Sequence, residues 1–171
     1  PYIHRLAGKK FGGLRLTTYP EPRQTPLARY KTTNYLYYLL AGNWARDRGY
    51  DEALITNSEG TVSETNTANL LLVKDGAIIR PNSPHALPGV MEQAVCRWFR
   101  KNGYTVKRQA VSLESLRAAD QVLATNSLMG TVPVSQLDDW VLKTDPQWIR
   151  SVNPEKSIFY GGVAGSGDIL K

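Results

Sequence analysis

The chain has 171 residues, of which 42% are hydrophobic and 21% charged, which is typical of a globular domain with a sizeable core. Its single cysteine, Cys96, excludes a disulfide scaffold, and no apolar run approaches the ~18 residues that a membrane span needs. The net charge of +6 and the pI near 9.5 favour anionic ligands or a basic surface. Because no run of five basic residues occurs, a nucleic-acid module is the weaker interpretation.

A strand and a helix are predicted first. Gly13–Tyr19 alternates β-prone residues and predicts a strand. The oxygens of Thr32–Asn34 are expected to cap a helix over Tyr35–Arg48. Large apolar residues recur in this helix at spacings of three and four, so we expect them to form its buried face. They are Leu36, Leu39, Leu40 and Trp44.

Two hairpins follow, each with a turn that supplies a glycine for positive φ. The predicted strand pairs are Glu52–Asn57 with Thr61–Glu64, and Asn69–Val73 with Ala77–Arg80.

The second half predicts two helices and three strands. They are a helix from Pro88 to Lys101 ended by Gly103, a strand at Tyr104–Ala110, a helix from Ser112 to Ala119, and strands at Gln121–Thr125 and Thr131–Gln136. A helical turn is expected in Asp145–Arg150, and the glycine-rich Gly161–Gly167 is expected to be mobile. Strands and helices without regular βαβ alternation predict the α+β class.

Lys31 and Glu64 are the first two candidate site residues. Lysine becomes a nucleophile when desolvation or a neighbouring cation lowers its pKa, and Arg29 is two residues from Lys31. Glu64 closes a predicted strand within a polar run, where a carboxylate can hold a protonated ring nitrogen. The alternatives are a solvated lysine at a helix start and an ordinary turn glutamate.

Two further segments predict an anion site. Leu87–Met91 opens a helix, where free backbone N–H groups and the helix dipole attract a phosphate that Gly89 lets approach. Thr125, Asn126 and Ser127 follow an apolar strand and could reach the same anion. A plain proline-initiated helix and an ordinary strand-to-turn ending are the alternatives. No metal site is predicted, since the histidines and the cysteine lack ligand spacing.

The order and spacing of these segments together resemble the fold-type IV pyridoxal-phosphate enzymes. That family includes branched-chain and D-amino-acid aminotransferases and aminodeoxychorismate lyase. The pattern comprises a lysine before Asn-Tyr, Ser-Glu-x-x-x-x-Asn-Leu, Leu-Pro-Gly-Val, and Thr-Asn-Ser followed by Val-Pro-Val. The resemblance extends from about Gly13 to Val134. It implies the C-terminal cofactor-binding domain of the D-amino-acid aminotransferase-like fold.

The resemblance assigns roles to the candidate residues, with pyridoxal 5'-phosphate (PLP) as cofactor. Lys31 would bind the cofactor covalently and move the proton at the substrate α-carbon, while Glu64 would pair with the pyridine nitrogen. Backbone N–H groups of Val90 and Met91 would bind the cofactor phosphate, with the Ser127 hydroxyl beside them. Asn126 would flank the phosphate or the substrate, and Tyr35 would lie near the cofactor hydroxyl. The spacing from Lys31 to Tyr35 is one residue shorter than in branched-chain enzymes.

Three residues depart from the family pattern. Glu92 replaces a usual Arg or Lys, Asn66 a small residue, and Leu71 an aromatic one. Family members also carry an N-terminal domain of over a hundred residues before the lysine region, whereas thirty residues precede Lys31 here. With Pro1 in place of Met, we expect residues 1–140 to be a C-terminal PLP-binding domain and 141–171 a partly mobile extension.

The resemblance to aminodeoxychorismate lyase is the strongest within the family, because of the Lys-x-x-Asn spacing and the loop after Thr125. It implies release of pyruvate and 4-aminobenzoate from a chorismate-derived substrate. A branched-chain or D-amino-acid aminotransferase, or an inactive folded binding domain, are the alternatives. The family implies a cytoplasmic homodimer, with no membrane or nucleic-acid partner.

Overall fold

The computed structural model describes residues 13–145 and 147–148, and its centre is a curled, mixed β-sheet. Three α-helices pack on this sheet, and a 3₁₀ turn, Pro26–Arg29, precedes the first of them. The strands are β1 (Leu14–Thr18), β2 (Glu52–Thr56), β3 (Val62–Thr65), β4 (Asn69–Lys74), β5 (Ala77–Pro81), β6 (Val106–Gln109), β7 (Gln121–Asn126), β8 (Gly130–Leu137) and β9 (Trp140–Val141). The helices are α1 (Leu36–Asp47), α2 (Val90–Lys101) and α3 (Leu113–Arg117).

The sheet has the strand order β3-β2-β1-β8-β7-β4-β5-β6, with β9 paired to β8. Consecutive strands form four antiparallel hairpins in the described residues, β2–β3, β4–β5, β7–β8 and β8–β9. In contrast, α1 connects the parallel pair β1–β2 and α2 the parallel pair β5–β6. The sheet curls so far that β3, at one edge, contacts the segment after β6, where the Val62 N–H donates to the Val111 carbonyl at 2.8 Å. This mixture of hairpins and single crossovers confirms the predicted α+β class.

Apolar side chains pack on both faces of the curled sheet, and the strands β2, β4 and β7 are buried on both sides. One core, which includes Leu16, Leu54, Leu72 and Leu116, lies against α3. The other packs α2 on the opposite face. It comprises Leu71, Val73, Ile78, Met91, Val95, Cys96, Phe99 and Leu123. Cys96 therefore packs as a small apolar group, and burial raises the pKa of its thiol to about 11.

The predicted buried face of α1 is wrong. Leu36, Leu39 and Leu40 are 64%, 58% and 51% exposed, and only Trp44 of the expected set packs on a core. Small residues face the sheet instead: Ala41, Gly42 and Ala45 are buried. A Cβ on Gly42 would lie 2.7 Å from the Nδ2 of Asn66, so the absent side chain is what allows the close approach.

The helix starts agree only in part with the predicted caps. Ser112 caps α3 as expected, with its Oγ accepting from the Ser115 N–H at 3.1 Å. The predicted cap of α1 by Thr32–Asn34 is wrong, because Tyr35 occupies the cap position and its side chain makes no capping hydrogen bond to the helix. Half of the predicted turn in Asp145–Arg150, residues 146, 149 and 150, and the whole of Gly161–Gly167 lie outside the described residues.

Candidate functional site

Glu64 lies near the end of β3 with its carboxylate buried, and the residue is only 4% exposed. Its Oε1 accepts from the Tyr38 hydroxyl of α1 at 2.5 Å. Its Oε2 accepts from the Leu87 backbone N–H at 2.9 Å, three residues before α2 begins. No ion pair among the described residues includes Glu64, so a buried carboxylate is held by two neutral donors. Such a group needs a cationic partner or a proton.

The pKa of Glu64 reflects this environment. Burial raises the pKa to about 7, because desolvation disfavours the charged form. The Tyr38 and Leu87 hydrogen bonds and the positive charges of Arg23 and Lys31 lower the pKa, but they do not offset the burial. In the folded chain this buried carboxyl therefore has a pKa near neutral pH.

Tyr38 and Arg23 complete the surroundings of Glu64, and the sequence did not predict either. The Arg23 guanidinium carbon lies 4.3 Å from the centroid of the Tyr38 ring, within cation–π distance. Its Nη1 is buried without a hydrogen-bond partner. Tyr38 stands three residues after Tyr35 on α1, so a search for a second tyrosine one helical turn on would have found it.

Lys31 lies in the segment between the 3₁₀ turn and α1, exposed to solvent. Its Nζ donates to the hydroxyl of Tyr35. The Tyr35 and Tyr38 rings lie 5.3 Å apart between centroids. Lys31 is also near enough to lower the pKa of Glu64. The lysine and the carboxylate that the sequence singled out therefore face one site, with the two tyrosines between them.

The start of α2 borders the same site. Gly89 is the N-cap and offers no side chain, so no side chain caps the first turn at Val90 and Met91. A Cβ at Gly89 would lie 1.9 Å from Asn69 Oδ1, and Asn69 Nδ2 donates to the Leu87 carbonyl at 2.8 Å. The glycine is therefore required by the approach of Asn69, which is a reason the sequence did not indicate.

The turn between β7 and β8 borders the segment that follows Glu64. Asn126 donates through Nδ2 to the Thr67 carbonyl at 3.2 Å, and its Oδ1 accepts from the Leu128 and Met129 N–H groups at 2.9 Å each. Asn126 thus shapes the turn, and Ser127 lies exposed within it. That either residue contacts a phosphate remains a prediction.

Two threonines lie in the strands that lead into this turn. Thr125 on β7 and Thr131 on β8 stand opposite each other in the sheet. Their buried hydroxyls have no hydrogen-bond partner. Two hydroxyl groups in the sheet beneath the turn are therefore available for further hydrogen bonds.

In this fold a buried carboxylate, a lysine and a helix start without a side-chain cap lie in one region of the described residues. The family model for class IV aminotransferases matches residues 4–137. The chain belongs to the class IV aminotransferase family, as the resemblance predicted.

Curated and solved relatives agree with this assignment. The branched-chain-amino-acid aminotransferase of Escherichia coli K12 is 36% identical over 118 residues, which cover 68% of this chain and 38% of the relative. A structure from Legionella pneumophila, provisionally assigned as a 4-amino-4-deoxychorismate lyase, has a TM-score of 0.79 and 28% identity, covering 84% of this chain and 55% of that one. The chain thus spans about half the length of its solved relatives.

The expected cofactor is confirmed for the family. An aminotransferase from Brucella abortus bound to PLP matches with a TM-score of 0.77 and 25% identity, over 86% of this chain and 55% of that one. These matches also confirm the D-amino-acid aminotransferase-like, fold-type IV architecture.

The part of the chain that the structure describes has neither a cluster of metal-ligating side chains nor a helix that could span a membrane. Within residues 13–145 and 147–148, no three His, Cys, Asp or Glu side chains are grouped to hold a metal ion. None of the helices in those residues has the length and apolar character to cross a membrane.

Proposed function

We propose that this chain provides the PLP site of an enzyme that acts on an amino-group substrate. The observation that supports this most is Glu64, a buried carboxylate without a cationic partner among the described residues. Each Glu64 oxygen accepts one hydrogen bond, and a carboxylate oxygen has a second lone pair, so a further N–H donor fits. The protonated nitrogen of a pyridine ring is such a donor. The residues present therefore fit the cofactor.

Glu64 would hold that nitrogen in its protonated form. A positive N–H beside the carboxylate lowers the pKa of Glu64, so the carboxylate stays ionised at neutral pH when the site is filled. Tyr38 and the Leu87 N–H orient the carboxylate, since each fixes one of its oxygens. When bound, PLP supplies a ring that accepts negative charge from the substrate α-carbon.

Lys31 would bind the cofactor covalently and then take or return the proton at the substrate α-carbon. Its Nζ is exposed, so it can reach both cofactor and substrate, and Tyr35 orients it through the hydroxyl that accepts from Nζ. For the phosphate we propose the backbone N–H groups of Val90 and Met91, with Ser127 and Asn126 beside them. The uncapped start of α2 supports this assignment.

Two reactions are candidates, and the relatives support them equally. The lyase reaction, which releases pyruvate and gives 4-aminobenzoate, is favoured by the Lys31 to Asn34 spacing and by the Legionella structure. The aminotransferase reaction is favoured by the curated relatives, which include the Escherichia coli enzyme. The non-enzymatic alternative, a folded binding domain, predicts cofactor binding without turnover.

The homodimer and the division at residue 140 also remain proposals. The leucines of α1 that the fold leaves exposed, Leu36, Leu39 and Leu40, are the surface that a second copy or a further domain would cover.

Product analysis separates the two reactions. The chain is incubated with PLP and 4-amino-4-deoxychorismate, and pyruvate is measured with and without a keto-acid acceptor. Pyruvate released without an acceptor supports the lyase. Turnover that requires an acceptor, with a branched-chain or D-amino acid as donor, supports the aminotransferase. A chain that acquires no visible absorbance with PLP contradicts both.

A further inference from the structure

Glu92 occupies the third position of α2, the first turn of the helix, and its side chain is buried. Arg80 on β5 binds the Glu92 carboxylate at two points: Nε donates to Oε1 at 2.9 Å and Nη2 to Oε2 at 2.7 Å. A two-point guanidinium–carboxylate pair fixes both position and orientation. The hydrogen bond to Glu92 raises the pKa of Arg80, so the guanidinium keeps its positive charge.

An acidic residue in the first turn of a helix normally stabilises the helix, because it complements the positive end of the dipole. The same charge disfavours a second anion at that end. The proposed function places the cofactor phosphate on the N–H groups of Val90 and Met91, directly before Glu92 in the chain. An unpaired Glu92 would repel this phosphate in a partly desolvated site, where charges interact more strongly than in water.

We propose that Arg80 neutralises Glu92, and that this neutralisation allows the start of α2 to bind a phosphate monoester dianion. The inference rests on the proposed function, since it concerns the phosphate of the same cofactor. The arrangement has a second effect, because the bond to Arg80 keeps the Glu92 carboxylate from folding back to cap its own helix. The first N–H groups of α2 thus stay available. Arg80 is a positioning residue, because it acts on the phosphate through Glu92.

The test compares the affinities of PLP and of pyridoxal, which lacks the phosphate, by absorbance titration of the full chain. The PLP affinity divided by the pyridoxal affinity, called the ratio below, reports on phosphate binding alone. At a pH high enough to ionise the unpaired Glu92 carboxyl, Arg80→Met should lower the ratio by about tenfold or more, because a buried negative charge then faces a dianion. Glu92→Gln should raise the ratio several-fold, since the glutamine still accepts from Arg80. The double variant Arg80→Met/Glu92→Gln should return the ratio to within about threefold of the parent.

Lys74→Met is the matched control. It removes the same charge from an exposed ion pair with Asp120, 3.7 Å apart, at the far end of β4. It should leave the ratio unchanged. If Arg80→Met does not fold, Glu92→Gln and the double variant still decide the outcome.

A ratio that stays constant in every folded variant would overturn the role of Arg80 while leaving cofactor binding intact. Parallel losses of PLP and pyridoxal affinity would do the same, because they indicate a general packing defect. A parent chain that binds neither compound would instead contradict the proposed function.

Discussion

Glu64 should make the cofactor-free chain less stable as the pH rises. The pKa of this carboxyl is about 7 in the folded chain against an ordinary value of 4.5, because burial disfavours the charge. The folded state therefore binds more protons than the unfolded state between these two values. By linkage, the free energy of unfolding falls as the pH increases through this window.

The two pKa values set the size of the effect. Between pH 5 and pH 8, the contribution of Glu64 should lower the free energy of unfolding by roughly 2 to 3 kcal/mol. Below the ordinary value of 4.5 both states are protonated and the penalty is absent. Above about 7 the penalty is fully developed.

Urea unfolding of the chain and of Glu64→Gln, followed by the fluorescence of the four tryptophans, measures this contribution. Glutamine has only one acceptor oxygen in its side-chain amide, so it cannot accept from both Tyr38 and Leu87. This loss adds a constant amount to the difference in free energy of unfolding at every pH. As the pH rises, the difference in free energy of unfolding between the two proteins should therefore change by roughly 2 to 3 kcal/mol in favour of Glu64→Gln. Glu59→Gln, in the exposed turn before β3, is the control and should keep a constant difference. A constant difference for Glu64→Gln as well would refute the assignment of a buried, unpaired carboxylate.

Two further substitutions test the contacts around the site. Tyr38→Phe removes the donor to Glu64 Oε1 but keeps the ring against Arg23. The ionised form of Glu64 should lose about 1.5–3 kcal/mol of stabilisation. The pH at which stability changes should therefore move upward by at least about one unit. An unmoved transition would show that this hydrogen bond does not stabilise the charge. Gly89→Ala places a Cβ 1.9 Å from Asn69 Oδ1, which breaks the bond from Asn69 to the Leu87 carbonyl and should destabilise the chain by about 2–3 kcal/mol in urea unfolding. If Gly89→Ala keeps the stability and the PLP affinity of the parent chain, the start of α2 can shift at no cost.

Local patterns in the sequence were sufficient to predict most of the elements. The hairpins follow from their turns: Asp75 and Gly76 both adopt positive φ, at 49° and 72°, as a tight turn between antiparallel strands requires. The helix α2 was placed to within two residues of its start, and Lys31 and Glu64 were singled out by residue type and position. Motif order, rather than any single motif, indicated the family.

The errors concern contacts between segments that are distant in the chain. Helical spacing identifies an apolar stripe, but it cannot tell whether the core or another surface covers it. In α1 the leucines remain exposed, because Gly42 packs against Asn66, which lies on a loop twenty-four residues later. Tyr38 was missed for the same reason, since its partner Glu64 lies 26 residues along the chain. Such pairings depend on how the sheet curls, which local sequence patterns do not determine.

The most direct test of the central claim is to locate the covalent attachment of the cofactor. The chain is saturated with PLP, reduced with borohydride, digested and mapped by mass spectrometry, with Lys31→Arg as the matched variant. The account predicts one phosphopyridoxyl group on Lys31 in the parent, and none at position 31 in the variant. Label on other lysines but none on Lys31, or no label at all, would contradict it.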